Sequence, residues 1–341
     1  MLQQKKMNSY WLTTSILQVY GKLLWPLKLF VTPAVEQTSA FLDLPIDILC
    51  MICDELALPA KILLAQTCKA MWYMLRSKCS SQLKAIVRED RFNTLTELGN
   101  MLPDTYHCIR CNVLHPVEPD DIPNLTNWYR RRHSCRTPGQ VFDHLHPQHS
   151  YAVSFHHVQL ALKYSRMKEK HQDYRTNILQ KFEVRPVGSP IIKTFTAKPK
   201  VVNARFILLA TYVLYTGPLR DAAKKDYDKF IIFCPHHYFG LGTGPGNSFA
   251  AILQKAVINA ATRQDQHTEL FSCDRCPTDY SVVAEDGEAV VEAWHDLGNG
   301  LSVEDPSWQS HLYSYRNGIS KGLPFNYEHG SISKMYDSCY S

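Results

Sequence analysis

Three pairs of cysteines stand three positions apart in the sequence: Cys50/Cys53, Cys108/Cys111 and Cys273/Cys276. Thiolates at that spacing can grip one Zn²⁺ from a tight turn, and a tetrahedral site then needs two more ligands. Eleven cysteines scattered at random over 341 residues would give roughly a third of one such pair, so the spacing has a cause. His115 follows the second pair closely, and Cys234-Pro235-His236-His237 adds another candidate group. Directly after the third pair, residues 279–294 (DYSVVAEDGEAVVEAW) read as two β-prone runs turning at Asp286-Gly287. A thiol knuckle leading into a hairpin is how half of a zinc ribbon is built. The first expectation is one structural zinc ion held by Cys108, Cys111, Cys273 and Cys276. An alternative draws Cys234 and His236 to the third pair and leaves Cys108, Cys111 and His115 to find a fourth ligand such as Cys135. A third reading keeps all of them as buried free thiols, small hydrophobes in effect. A thioredoxin-like redox pair fits poorly, because neither body pair lies between a strand and a helix of a βαβ unit.

Other chemistry is weakly marked. Gly240, Gly242, Gly244 and Gly246 follow a β-prone run. The dinucleotide spacing G-x-G-x-x-G fails, because its third glycine would fall on Pro245 or Asn247. No Lys-Ser/Thr follows to make a P-loop, and neither H-E-x-x-H nor G-x-S-x-G occurs. His156-His157 reads as a half-buried pair on a helix edge. Arg130, Arg131, Arg132, His133 and Arg136, beside Trp128 and Tyr129, read as a solvated face. Lys and Arg number 37 against 32 Asp and Glu, and that net charge of +5 does not argue for a nucleic-acid partner. A Cys/His enzyme site around Cys234, His236 and the glycine run is a rival reading, but the chain is expected not to be an enzyme.

Hydrophobic residues make up 45% and charged residues 20%, ordinary for a globular chain and far too apolar for intrinsic disorder. No cleavable secretory signal is evident, so reduced thiols in the cytoplasm or nucleus are expected. Residues 1–40 read as a poorly ordered apolar and basic extension; contact of residues 1–35 with a membrane is not expected. Residues 41–79 are the most strongly patterned. Pro45 suits a first helical turn, and Asp43 and Asp47 suit its positive end. Ile48, Ile52 and Leu56 recur every four positions, with Leu49 beside them. Pro59 restarts the chain, and Leu64, Cys68, Met71, Trp72 and Leu75 make a second stripe on a longer helix. Further on, 191–197 and 204–215 read as strands with a break at Lys198-Pro199-Lys200, and the second is apolar on both faces like a covered central strand. Helices are expected over 156–170 and 248–261, the latter capped by Asn247.

Leu44-Pro45, Asp47-Ile48, Ile52, Leu56, Leu64 and Thr67-Cys68-Lys69 together resemble an F-box, the adaptor-binding module of SCF-type ubiquitin ligases. The resemblance covers residues 41 to about 80, with Asp47 where the family usually has Glu. It implies that Leu44, Pro45, Ile48, Ile52 and Leu56 dock a Skp-type adaptor, with Leu64, Cys68 and Trp72 completing the interface. The segments around Cys108 to Pro116, Cys234-Pro235-His236, Cys276-Pro277-Thr278-Asp279-Tyr280, Trp294-His295-Asp296-Leu297-Gly298 and Asp305-Pro306-Ser307-Trp308 resemble the body of filamentous-fungal F-box proteins. The expected architecture is α+β: the extension at 1–40, a helical F-box at 41–85, and a β-rich body at 90–341 with C-x-x-C knuckles. The resemblance implies a non-catalytic, substrate-recruiting subunit, linked through the adaptor to a cullin, whose body binds a protein substrate. An alternative is a zinc-ribbon interaction module unrelated to ubiquitin.

Overall fold

Pro45 is held extended (ψ 140°), and its carbonyl accepts the Leu49 N–H at 3.1 Å, which opens the first helix. The computed structural model describes residues 39–108, 111–123, 141–142, 151–167, 172–186, 192–215, 231–239, 269–285, 288–312 and 325–338. The chain divides into two units, Met1–Pro116 and Val117–Ser341. The extension up to residue 38, the basic cluster, Cys135, the glycine run, the helix expected at 248–261 and the Asp286-Gly287 turn lie outside the described residues.

The first unit holds α1 (Ile46–Glu55), α2 (Leu58–Ala65), α3 (Lys69–Ala85) and α4 (Arg88–Met101), then a hairpin of β1 (Thr105–Cys108) and β2 (Val113–Pro116). The second stripe, expected on one longer helix, is shared between α2 and α3. The Thr67 hydroxyl donates to the Leu64 carbonyl at 2.7 Å, and Cys68 is fully extended before α3 begins. Cys53, Ile62, Ala65, Leu75 and Cys79 form a core with Leu98 of α4 and Leu114 of β2. The first unit therefore runs on to Pro116. α4 and the hairpin supply apolar side chains that the three preceding helices need to close their core. A Cβ at Gly99 would stand 2.8 Å from the His107 backbone nitrogen, so only glycine lets α4 and β1 approach this closely. The Cys50/Cys53 pair is helical, with Cys53 in the core, where burial pushes its thiol up.

The second unit runs β3 (Val141–Phe142), β4 (Val153–Ser154), α5 (Phe155–Arg166), α6 (Gln172–Ile178), β5 (Phe182–Val184), β6 (Ile192–Val202), β7 (Arg205–Tyr215), β8 (Ile231–Cys234), β9 (His237–Phe239), β10 (Glu269–Ser272), β11 (Thr278–Glu285), β12 (Glu288–Asp296), α7 (Pro306–Ser310) and α8 (Ser331–Asp337). Six strands form one antiparallel sheet in the order β10-β11-β12-β7-β6-β5, so the chain is α+β as expected. The second expected strand is β7, buried along most of its length between β12 and β6. The break expected at Pro199 does not occur, and β6 runs straight through it. β5 reaches only Ala197, so from Lys198 onward β6 has no β5 partner on its outer side, and a residue without an N–H costs the ladder nothing there.

Alternation along β7 sorts the two faces of the sheet. Ile207 and Leu209 pack with Trp294, Ile332 and Tyr336 beneath α8. Phe206, Leu208, Ala210, Tyr212 and Leu214, all buried, point to the other face, where the Tyr212 ring meets Phe233 of β8 at 5.0 Å. Among the described residues no helix is long and apolar enough to cross a membrane.

Candidate functional site

β8 and β9 turn on Pro235-His236, which leaves Cys234 at the strand end and His236 in the turn. β10 and β11 are joined by a knuckle closed twice. The Cys273 N–H donates to the Thr278 carbonyl at 2.9 Å, and the Thr278 N–H donates to the Cys276 carbonyl at 2.7 Å. The ligand atoms of Cys234, His236, Cys273 and Cys276 all lie within 4.8 Å of one another, and all four residues are buried. Cys234 Sγ is 3.9 Å from Cys273 Sγ, which is 3.7 Å from His236 Nδ1. A tetrahedral zinc with sulfur at ~2.3 Å and nitrogen at ~2.0 Å has edges of about 3.5–3.8 Å, so the cluster already stands close to the spacing of a metal cage.

The surroundings favour bound sulfur. The His236 N–H points at Cys234 Sγ and the Arg275 N–H at Cys273 Sγ, each at 3.4 Å. Hydrogen bonds from Cys234 and Cys276 pull the Cys273 thiol far below its ordinary value, while burial pushes Cys234 and Cys276 up. A divalent cation would stabilise all three buried sulfurs as thiolates, and these residues can hold one.

Behind Cys276 runs a buried chain that no local pattern announces. The Thr278 hydroxyl lies 3.2 Å from Cys276 Sγ, 3.2 Å from His295 Nδ1 and 3.0 Å from His311 Nε2. His311 Nδ1 faces the Ser307 carbonyl at 2.7 Å and so carries the ring proton, which makes Nε2 the acceptor of the threonine proton. Burial pushes His311 down to about 4, so both of its ring nitrogens are committed as a neutral imidazole. The adjacent Asp279 serves the opposite face. Its buried carboxylate accepts from Ser272 Oγ at 2.7 Å and from the backbone N–H groups of Gly330, Ile332 and Ser333 at 2.9–3.1 Å, fixing the start of α8.

The preferred four-cysteine grouping gives way to the alternative one. Cys273 and Cys276 are completed within their own unit by Cys234 and His236, and Cys108 and Cys111 are joined by His115 within theirs. In that smaller cluster Cys111 Sγ and His115 Nε2 are 2.9 Å apart and all three residues are half-buried. Hydrogen bonding to Cys111 first, then to His115, pushes the Cys108 thiol down to about 3.

His156 and His157 meet the buried Asp121 carboxylate at 3.0 and 3.4 Å. The Ser154 N–H donates to His157 Nδ1 at 3.1 Å, so that nitrogen is bare and Nε2 carries the proton that faces Asp121. A metal on Nε2 would leave both nitrogens of this ring without a proton. The triad is therefore a hydrogen-bonded structural group.

On the first unit, the residues expected to dock an adaptor separate into two sets. Leu44 is 36%, Ile48 42% and Ile52 37% exposed, Pro45 is exposed beside them, and Met51 at 66% and Ile46 at 58% widen the patch. Leu56 and Cys68 are half-buried, while Leu64 and Trp72 pack against the helical core rather than standing free. Met71 and Leu75 of the second stripe are core residues outright. No known protein family matches this chain, and neither a curated protein nor a solved structure is significantly similar to it.

Proposed function

We propose that the chain is the substrate-recruiting subunit of an SCF-type cullin–RING ubiquitin ligase. Its first unit binds a Skp-type adaptor, and through it a cullin, and its second unit holds a protein substrate. The observation that carries this reading is the row of Leu44, Ile48, Met51 and Ile52 exposed on one short stretch, while Leu49 and Cys53 of the same helix face the core. Scattered exposed apolar residues need no partner, but a contiguous row on a helix is the surface of a helix-in-groove interface. These side chains are 36–66% exposed, so covering them contributes roughly 0.5–2 kcal/mol each before the cost of association. No residue of this chain makes or breaks a covalent bond under this reading. Transfer depends on raising the effective concentration of a substrate lysine near the charged conjugating enzyme. A structural zinc held by Cys234, His236, Cys273 and Cys276 would cross-link the β8–β9 hairpin to the sheet; it supplies rigidity and no chemistry.

Pull-down of a purified Skp-type adaptor tests the proposal. Ile48→Asp is the cleanest variant, because Ile48 faces solvent and Pro45 also shapes the helix entry. Wild type is expected to bind, and Ile48→Asp and the Leu44→Ala/Pro45→Ala double variant to lose binding with unchanged circular dichroism. A folded wild-type chain that ignores the adaptor removes the ligase reading and leaves a metal-braced interaction module.

A further inference from the structure

The hairpin of the first unit carries a thiol–imidazole group that neither the adaptor face nor the buried cluster uses. Cys108 ends β1, Cys111 lies in the turn, and His115 sits on β2, paired in register with Tyr106. The Tyr106 ring stacks on the His115 ring at 5.7 Å and 28°, which limits how that imidazole can rotate. Asn112 takes a left-handed conformation (φ 51°), and its N–H closes the turn on the Cys108 carbonyl at 2.8 Å. The turn is also braced from α4. The buried His107 lies 2.8 Å from Thr96 Oγ1 on one side and 2.9 Å from Asn112 Oδ1 on the other. Two thiols and an imidazole are thus presented together by a braced knuckle, with their ligand atoms within 4.8 Å and all three residues open to solvent in part.

We propose that Cys108, Cys111 and His115 form a second zinc(II) site, these three being its protein ligands among the described residues, with the fourth position open to exchange. Two sulfurs and an imidazole are a donor set that suits zinc, and the fourth place then falls to water or to a group of a partner. Cys111 Sγ and His115 Nε2 stand closer, at 2.9 Å, than the ~3.6 Å edge of a tetrahedral zinc, so an ion entering must spread them by about 0.7 Å. A half-exposed hairpin can yield by that much where a packed core could not. The site is therefore exchangeable: zinc enters and leaves it without unfolding the hairpin. This inference is independent of the adaptor reading, since it concerns different side chains and a different readout.

Cobalt(II) titration of the metal-stripped full-length chain decides it, followed by the thiolate-to-cobalt charge-transfer band and the visible ligand-field bands. Wild type is expected to take up two equivalents, and the Cys108→Ser/Cys111→Ser variant one. A His115→Gln variant keeps both thiols, and its ligand-field bands should shift. Zinc added afterwards should displace cobalt from both sites, and a competing chelator should remove the outer equivalent first. Equal uptake by wild type and the double serine variant, with the variant's circular dichroism unchanged, overturns the site. Ligand-field bands unmoved by His115→Gln overturn the three-ligand assignment. If the double serine variant fails to fold, the His115→Gln spectrum alone decides.

Discussion

Cys273 and Cys276 lie between two strands of the large sheet, and Cys234 and His236 are carried over them by a separate hairpin. Among the described residues Cys108 and Cys111 are joined by His115, from their own hairpin. The short motif is the same in both places, and what differs is the cover. In the sheet unit a distant segment supplies two ligands and excludes water, so the sulfur atoms are buried and stand near cage spacing. In the hairpin the histidine nitrogen stands 2.9 Å from a sulfur and all three residues are only half-buried. A C-x-x-C turn presents two ligands. Whether a site is closed depends on an element remote in sequence.

That contrast predicts unequal consequences for equivalent changes. Cys273→Ser should have the largest effect: loss of one tightly held metal equivalent and several kcal/mol of stability, because metal binding and folding are coupled in closed sites. Elemental analysis and thermal melts would measure it, and a variant that melts like wild type would show that the cluster braces nothing. Asp279→Ala should cost roughly 3 kcal/mol in urea unfolding, since it strands several buried donors at once. Metal content should be retained, as Asp279 faces away from the cluster.

Asp121→Asn should cost about 1–3 kcal/mol at neutral pH, with no change in bound metal. Burial alone would raise this carboxyl, but hydrogen bonds from His156 and His157 outweigh it and hold it far below the usual carboxylate range. A depressed folded value means the contribution is complete above the unfolded value near ~3.9 and is lost as the pH falls through the folded one. Acid titration of stability should therefore show a smaller loss in Asp121→Asn than in wild type below that value; equal losses would refute the role assigned to the triad. Cys111→Ser should have the smallest effect, under about 1 kcal/mol, because a half-exposed turn has little to lose. A drop as large as that of Cys273→Ser would erase the distinction between the two clusters.

Much of this was legible in local pattern. The helix at Ile46–Glu55, the β11–β12 hairpin and the covered strand β7 follow from periodicity and turn chemistry over a few residues. Spacing puts Leu49 in one stripe with Ile48 and Ile52, and only the fold splits it, burying Leu49 with Cys53 and leaving Ile48 and Ile52 exposed. What the sequence could not reveal is long-range choice. Cys234 and Cys273 are 39 positions apart, and nothing near either says which distant thiol each will meet. Thr278, His295 and His311 looked like unrelated polar residues until the fold stacked them behind Cys276. Leu114 closes the helical core, and nothing in residues 113–117 says which distant helices it will meet. Pro199 signalled a break because its outer neighbour strand, which begins only at Phe182 opposite Ala197, cannot be inferred from residues 198–200.

Thr278 and Asp279 are consecutive on β11, with the first turned toward the histidines and the second toward α8. A slip of β11 by one residue would exchange them, burying a carboxylate among the thiols and leaving the start of α8 without its acceptor. Either fault alone would be costly, and a slip commits both. The alignment of this strand is thus checked from two sides at once.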